Sequence, residues 1–145
     1  MKLTRYSDYA LRVLMHLAVQ PGQLTSISAI ARAYGISQNH LVKVVQDLRC
    51  AGYLAAVRGR AGGIRLARPP EQINVGEVIR HTEEGFELVD CAHCLIAPAC
   101  ALTAALHRAL GAFMEVLDGY SLADLTSSRS EALRRLLAPP AEQAA

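Results

Sequence analysis

Tryptophan is absent from this chain of 145 residues, and other aromatics are few: five Tyr and two Phe. Its core must therefore be built from aliphatic side chains. Long apolar runs are missing too. No stretch approaches the ~20 consecutive apolar residues of a membrane-spanning helix. Charges at Lys2, Arg5, Asp8 and Arg12 interrupt the start of the chain, so no signal-peptide apolar region forms there. Together these absences point to a cytoplasmic protein without a membrane partner, in a compartment where disulfides are disfavoured. Catalytic patterns are also lacking. No Ser/His/Asp arrangement, phosphate-binding loop or pair of catalytic carboxylates stands out, so no enzyme is expected.

Charge is present but unevenly spread. Residues 1–68 hold ten Lys/Arg against Asp8 and Asp47, a net +8; residues 69–145 hold five basic against eleven acidic residues, a net −6. A basic first half suits a polyanion partner for that half.

Apolar spacing divides the chain. Tyr6, Ala10, Val13, Leu14, Leu17 and Ala18 recur at helical period, so a helix is expected up to Gln20, with Thr4 or Ser7 as cap and Pro21-Gly22 as stop. A short second helix covers 26–34. Gly35-Ile36-Ser37 is a tight turn, and a third helix runs from a Ser37 cap to Ala51, with Gly52 at its C′ position. Helix, Gly-containing turn, helix is the helix-turn-helix pattern. Residues 53–57 and 64–66 read as strands around the Arg-loaded turn Arg58-Gly59-Arg60-Ala61-Gly62-Gly63. A helix capped at Asn74 follows, then a loop over 85–99. A long helix over about 101–120 carries Leu102, Leu106, Leu110, Phe113, Val116 and Leu117, a stripe suited to pairing with a second copy. Ser121 and Ser130 start two closing helices. The expected fold is mainly α: a winged helix-turn-helix with a small β-hairpin wing and a long C-terminal dimerisation helix. Its parts are a DNA-binding region (1–68), a linker helix with a Cys-rich loop (69–100), dimerisation and closing helices (101–137), and a flexible tail (138–145).

A recognition helix offers its N-terminal residues to base edges in the major groove. Here those are Ser37, Gln38, Asn39, His40 and Lys43. Gln and Asn can pair bidentately with adenine, and Lys43 can reach guanine or phosphate. Arg58, Gly59 and Arg60 at the wing can enter the neighbouring minor groove or clamp phosphates. Leu41, Val45 and Leu48 are core positions.

Cys91, Cys94 and Cys100 lie within ten residues, and Cys50 is the one other cysteine. Clustered soft thiolates are what a metal or an iron–sulfur cluster needs. Three is one ligand short. His93 could complete a zinc site, although its adjacency to Cys94 would strain a tetrahedron. A catalytic Cys-x-x-Cys pair lacks its usual βαβ setting. Cys50, on the third helix, reads as a packing residue.

The chain resembles the Rrf-type family of winged-helix regulators. Residues 1–12, Asn39-His40-Leu41-Val42-Lys43, Ala51-Gly52-Tyr53-Leu54, the wing from Val57 to Leu66, the three cysteines with Pro98-Ala99-Cys100, and Tyr120-Ser121-Leu122-Ala123-Asp124-Leu125 carry the resemblance. His40 and the cysteine loop place it nearest the nitric-oxide-sensing repressors of that family. The resemblance implies a homodimer on a pseudo-palindromic double-stranded DNA operator. It also implies an iron–sulfur cluster on Cys91, Cys94 and Cys100, with Asp8 of the partner subunit as fourth ligand. A 4Fe–4S cluster is favoured over 2Fe–2S, because three thiolates and one carboxylate leave one distinctive iron. Nitric oxide attacking the cluster would then release the operator. Alternatives are a sibling regulator sensing iron or cluster status, and a zinc-stabilised interaction module. The sequence departs from its relatives at the Cys91–Cys94 interval, where two residues stand in place of an often longer gap.

Overall fold

The computed structural model describes residues 1–139. Helices α1 (Arg5–Ala18), α2 (Ile27–Tyr34) and α3 (Gln38–Cys50) come first. Strands β1 (Leu54–Val57) and β2 (Gly63–Leu66) follow, then α4 (Val75–Thr82), α5 (Leu102–Asp118), α6 (Leu122–Thr126) and α7 (Ser130–Leu137). One-turn helices lie at Pro70–Gln72, Ala97–Ala99 and Ser127–Arg129. The winged helix-turn-helix expected from the sequence is present. The expected tail at 138–145 lies, from residue 140 onward, outside the described residues.

Local chemistry sets the boundaries. The Thr4 side chain accepts from the Ser7 N–H and starts α1. This helix stops at Ala18, two residues short of expectation, because Val19 and Gln20 close a tighter turn before Pro21-Gly22. Gly35 ends α2 in the left-handed conformation (φ 63°). There the Ile36 N–H returns to Ala31 O and the Gly35 N–H to Arg32 O. Gly52 (φ 84°) does the same for α3, with the Tyr53 N–H on Leu48 O at 2.9 Å. Both ends are Schellman motifs, which glycine adopts without Cβ strain. Ser37 precedes α3 in position, but its side chain makes no capping bond. Ser121 and Asp124 form a full capping box at α6.

The core packs α1, α2 and α3 against the inner face of the wing. Ala10, Val13, Leu14, Ile30, Leu41 and Leu48 are fully buried in it. Each large aliphatic side chain there contributes about 1.5–3 kcal/mol. A second cluster joins Val75 and Ile79 of α4 to Met114 of α5. These two helices run antiparallel. Gly76 lets Asp118 approach so closely that a Cβ would meet its Oδ1 at 2.0 Å. Arg80 holds the same carboxylate through two N–H donors, and Asn74 Nδ2 donates to Asp118 O at 2.7 Å.

Along α5, Met114 is the buried residue. Leu102 and Val116 are 55% and 62% exposed within one chain. Among the described residues, no helix is long and apolar enough to cross a membrane.

Candidate functional site

Helix α3 presents two faces because its apolar residues recur at helical spacing. Leu41, Val44, Val45 and Leu48 are buried, whereas Ser37, Gln38, Asn39, His40 and Lys43 are all exposed. The polar residues therefore stand free of the core at the helix start. The turn made by Gly35 aims this helix across α2.

The wing is a two-stranded antiparallel hairpin pairing Leu54 with Leu66 through Val57 with Gly63. Thr25 adds a bridge to Ile64 with bonds of 3.0 and 2.9 Å, so β2 is held on both sides. At the tip, Gly59 has φ 113°, and the Gly62 N–H bonds to Gly59 O at 3.0 Å. A Cβ on Gly62 would lie 2.2 Å from Val57 O. Arg58, Gly59 and Arg60 are exposed at this tight turn.

The cysteine loop leaves α4 and returns along the first half of α5. Asp90 accepts from the Ala92 N–H, and Cys94 N–H returns to Cys91 O at 3.3 Å. The Ala97 N–H then bonds to Cys94 O, and the turn at Ala97–Ala99 delivers Cys100 to the start of α5. Cys91 and Cys100 are half-buried; Cys94 is exposed; none is in a disulfide. Cys91 Sγ lies 3.5 Å from Thr103 Oγ1, which ties the loop to α5. His93 is exposed on the same loop.

Among the described residues, no three His, Cys, Asp or Glu side chains gather into a metal site. The donor set still fits an iron–sulfur cluster in kind: three unpaired thiols on one accessible, turn-rich segment, the ligand type such clusters take. Among the described residues, no fourth ligand joins them. Asp8 does not approach the cysteines of its own subunit. It accepts from Arg12 Nε at 2.8 Å, one helical turn away. Arg12 also lies over the Tyr34 ring at 5.7 Å, which links this pair to the end of α2.

One expectation is corrected. Cys50 is exposed at the end of α3, on the face opposite the buried Val45 and Leu48, and is no packing residue.

Other contacts were invisible in the sequence. Glu83 accepts from Thr4 N–H at 2.8 Å, Thr4 Oγ1 at 3.0 Å and Ser7 Oγ. Desolvation pushes its carboxyl up, but the bonds from Ser7 and Thr4 outweigh it and hold Glu83 below the usual range. Asp47 of α3 meets His81 of α4 at 3.0 Å. These partners lie 34 to 79 residues apart, so no spacing rule signals them.

A helix-turn-helix with a basic β-hairpin, followed by a long exposed helix and a thiol-bearing loop, defines a winged-helix regulator. The profile of the Rrf2 family, described as iron-dependent transcriptional regulator, matches residues 3–128. The HTH-type transcriptional regulator NsrR of Bacillus licheniformis is 49% identical over 143 residues, covering 94% of this chain and 99% of that protein. The NsrR of Bacillus subtilis strain 168 is 48% identical, with 94% and 97% covered. Among solved structures, T. potens IscR has a TM-score of 0.75 at 29% identity, with 91% of this chain and 90% of that one covered. The global cysteine regulator CymR of B. subtilis has a TM-score of 0.70 at 30% identity, with 88% and 98% covered. This chain belongs to the Rrf2 family of transcriptional regulators, and its similarity to NsrR proteins extends over nearly its whole length. Its relatives are regulators, not enzymes.

Proposed function

We propose that the protein is a homodimeric repressor that binds a pseudo-palindromic operator and senses nitric oxide through an iron–sulfur cluster. Cys91, Cys94 and Cys100 of one subunit hold the cluster, and Asp8 of the partner subunit supplies the fourth ligand. The observation that carries this reading is the set of three unpaired thiols on the loop beside α5, in a chain similar to NsrR proteins. Ser37, Gln38, Asn39, His40 and Lys43 read the major groove, while Arg58, Gly59 and Arg60 engage the adjoining backbone.

When bound, the cluster supplies iron that reacts with nitric oxide. The chain supplies the mechanical response. Asp8 holds its own Arg12 through Oδ1, and its carboxylate would also be the group offered to the cluster of the facing subunit. A carboxylate is a harder ligand than a thiolate, so a link through Asp8 would be the weakest of the four. In the chain alone Asp8 pairs with Arg12, whose guanidinium stays charged and lies over Tyr34 of the helix-turn-helix. A cluster held in this way would tie the two recognition helices of the dimer to each other, and its loss would free them. A changed half-site spacing is enough to lose the operator.

Anaerobic purification tests this directly. A brown protein with iron and acid-labile sulfide, whose operator complex dissociates on nitric oxide titration, is the expected result; a colourless zinc protein overturns it. Asp8→Ala should weaken operator binding by the loaded protein about fivefold or more and blunt the response to nitric oxide. Wild-type behaviour in that variant removes the trans ligand. The family description as iron-dependent supports a second reading, a sensor of iron or cluster supply. An operator complex that responds to iron chelation and not to nitric oxide selects it.

A further inference from the structure

The last turn of α4 lies between the root of the cysteine loop and two elements of the DNA-binding unit. Three consecutive side chains make the contacts. His81 Nε2 sits 3.0 Å from Asp47 Oδ2, in the last turn of α3. Thr82 Oγ1 and Ser7 Oγ are 2.7 Å apart. Glu83 takes the bonds from Thr4 and Ser7 at the start of α1. The next residues, Glu84 and Gly85, begin the excursion to Cys91.

The His81–Asp47 contact is itself embedded. Tyr6 of α1 donates its phenol to the same Asp47 carboxylate. Burial first, and then that bond and the nearby charge, push its pKa up to about 12. The His81 ring meets Tyr53 edge-on at 6.3 Å, and Arg68 covers Tyr53 at 4.7 Å. One imidazole thus touches the recognition helix and the residue that opens the wing. Beside it lies a cleft of about 500 Å³ lined by Thr4, Tyr6, Asp47, His81, Glu83 and Gly85, which leaves room for the α4 end to move.

We propose that His81 is a positioning residue that couples the cysteine loop to the recognition helix within one subunit. The proposal rests on the reading of that loop as the sensor. It is separate from the trans link through Asp8, because both partners belong to one chain. The mechanics follow from helix rigidity. Asp47 and Gln38 are nine residues apart on α3, roughly 13 Å along its axis. A tilt of about 4° imposed at Asp47 therefore displaces the helix start by roughly 1 Å, which is large on the scale of a hydrogen bond. A loop that changes shape pulls first on residue 84, then on the His81–Glu83 turn, and through His81 on Asp47.

The test uses His81→Phe, which keeps a ring against Tyr53 and removes the bond, and His81→Gln, whose amide N–H can still reach Asp47. Two quantities are measured in each. One is the ratio of operator affinities of cluster-loaded and cluster-free protein. The other is backbone amide exchange of cluster-free protein. His81→Phe should reduce the ratio by about three- to tenfold, the worth of one hydrogen bond. It should also raise exchange at residues 38–47 while core amides of α1 stay protected. His81→Gln should restore most of both. A wild-type ratio with wild-type exchange in α3 overturns the proposal, and so does a loss of protection spread evenly over the fold. If wild-type protein itself shows a ratio of one, the sensor reading has failed. The exchange at 38–47 then decides the role of His81 alone.

Discussion

His16 is 3% exposed on the inner face of α1, and its Nδ1 finds no hydrogen-bond partner among the described residues. Its ring packs edge-on against Tyr34 at 5.8 Å. Burial lowers its pKa, because the charged imidazolium loses water and gains nothing in return. The sign of the consequence is fixed by linkage. The unfolded chain accepts a proton near pH 6.5, the ordinary histidine range, where the folded chain resists it. This contribution is therefore intact above about pH 6.5 and is lost as pH falls below it. Thermal melts between about pH 7.5 and 5.5 should show a falling Tm in the wild type, and His16→Leu should flatten that fall. Glu83 does not confound the window. Its depressed pKa places its own loss of stability below the usual carboxylate range.

At the scale of elements, the expected α5 stripe divides: Leu110, Phe113 and Leu117 pack against the α4 cluster of the same chain, while Leu102 and Val116 stay exposed. Leu102 and Val116 are more than half exposed, which is the surface a second copy can bury symmetrically. In the proposed dimer, a charge placed in this exposed face would meet its own image across the two-fold axis. Val116→Glu should therefore give monomers in sedimentation experiments, retain helical circular dichroism, and lose at least about tenfold in operator affinity. The helices and the hairpin were legible in the sequence because each is written locally. Leu41, Val45 and Leu48 mark one face of α3, and Gly35 and Gly52 mark the ends of α2 and α3. The one-turn helices at Pro70–Gln72 and Ala97–Ala99 were not legible, since three residues are too few to show a period. The candidate ligands were legible as residue types in a cluster. Their surroundings were not: Asp8 turns to Arg12 in its own chain, and the Glu83 and His81 contacts bridge segments with no common pattern.

Over the whole molecule, the basic half and the acidic half have different tasks. The net +8 of residues 1–68 faces a polyanion, so operator affinity should fall steeply and linearly on a log–log plot against salt. Arg60→Ala should weaken binding to all sequences alike and reduce that slope by about one, as the loss of one phosphate contact requires. Unchanged binding and slope would place the wing tip off the DNA. The antiparallel pairing of α4 and α5 carries a further consequence. Ile79 packs with Met114, and Asp118 is held at the α4 start, so α4 supports only the C-terminal half of its longer neighbour. Beyond it, the first turns of α5 are a cantilever. Their N-cap position, Ala101, provides no side-chain bond, and their first turn has no acidic residue. What braces that overhang is the thiol loop, through contacts such as Cys91 with Thr103. Any chemistry that loosens the thiols therefore also shortens the rod that α5 would offer to a second subunit in the proposed dimer.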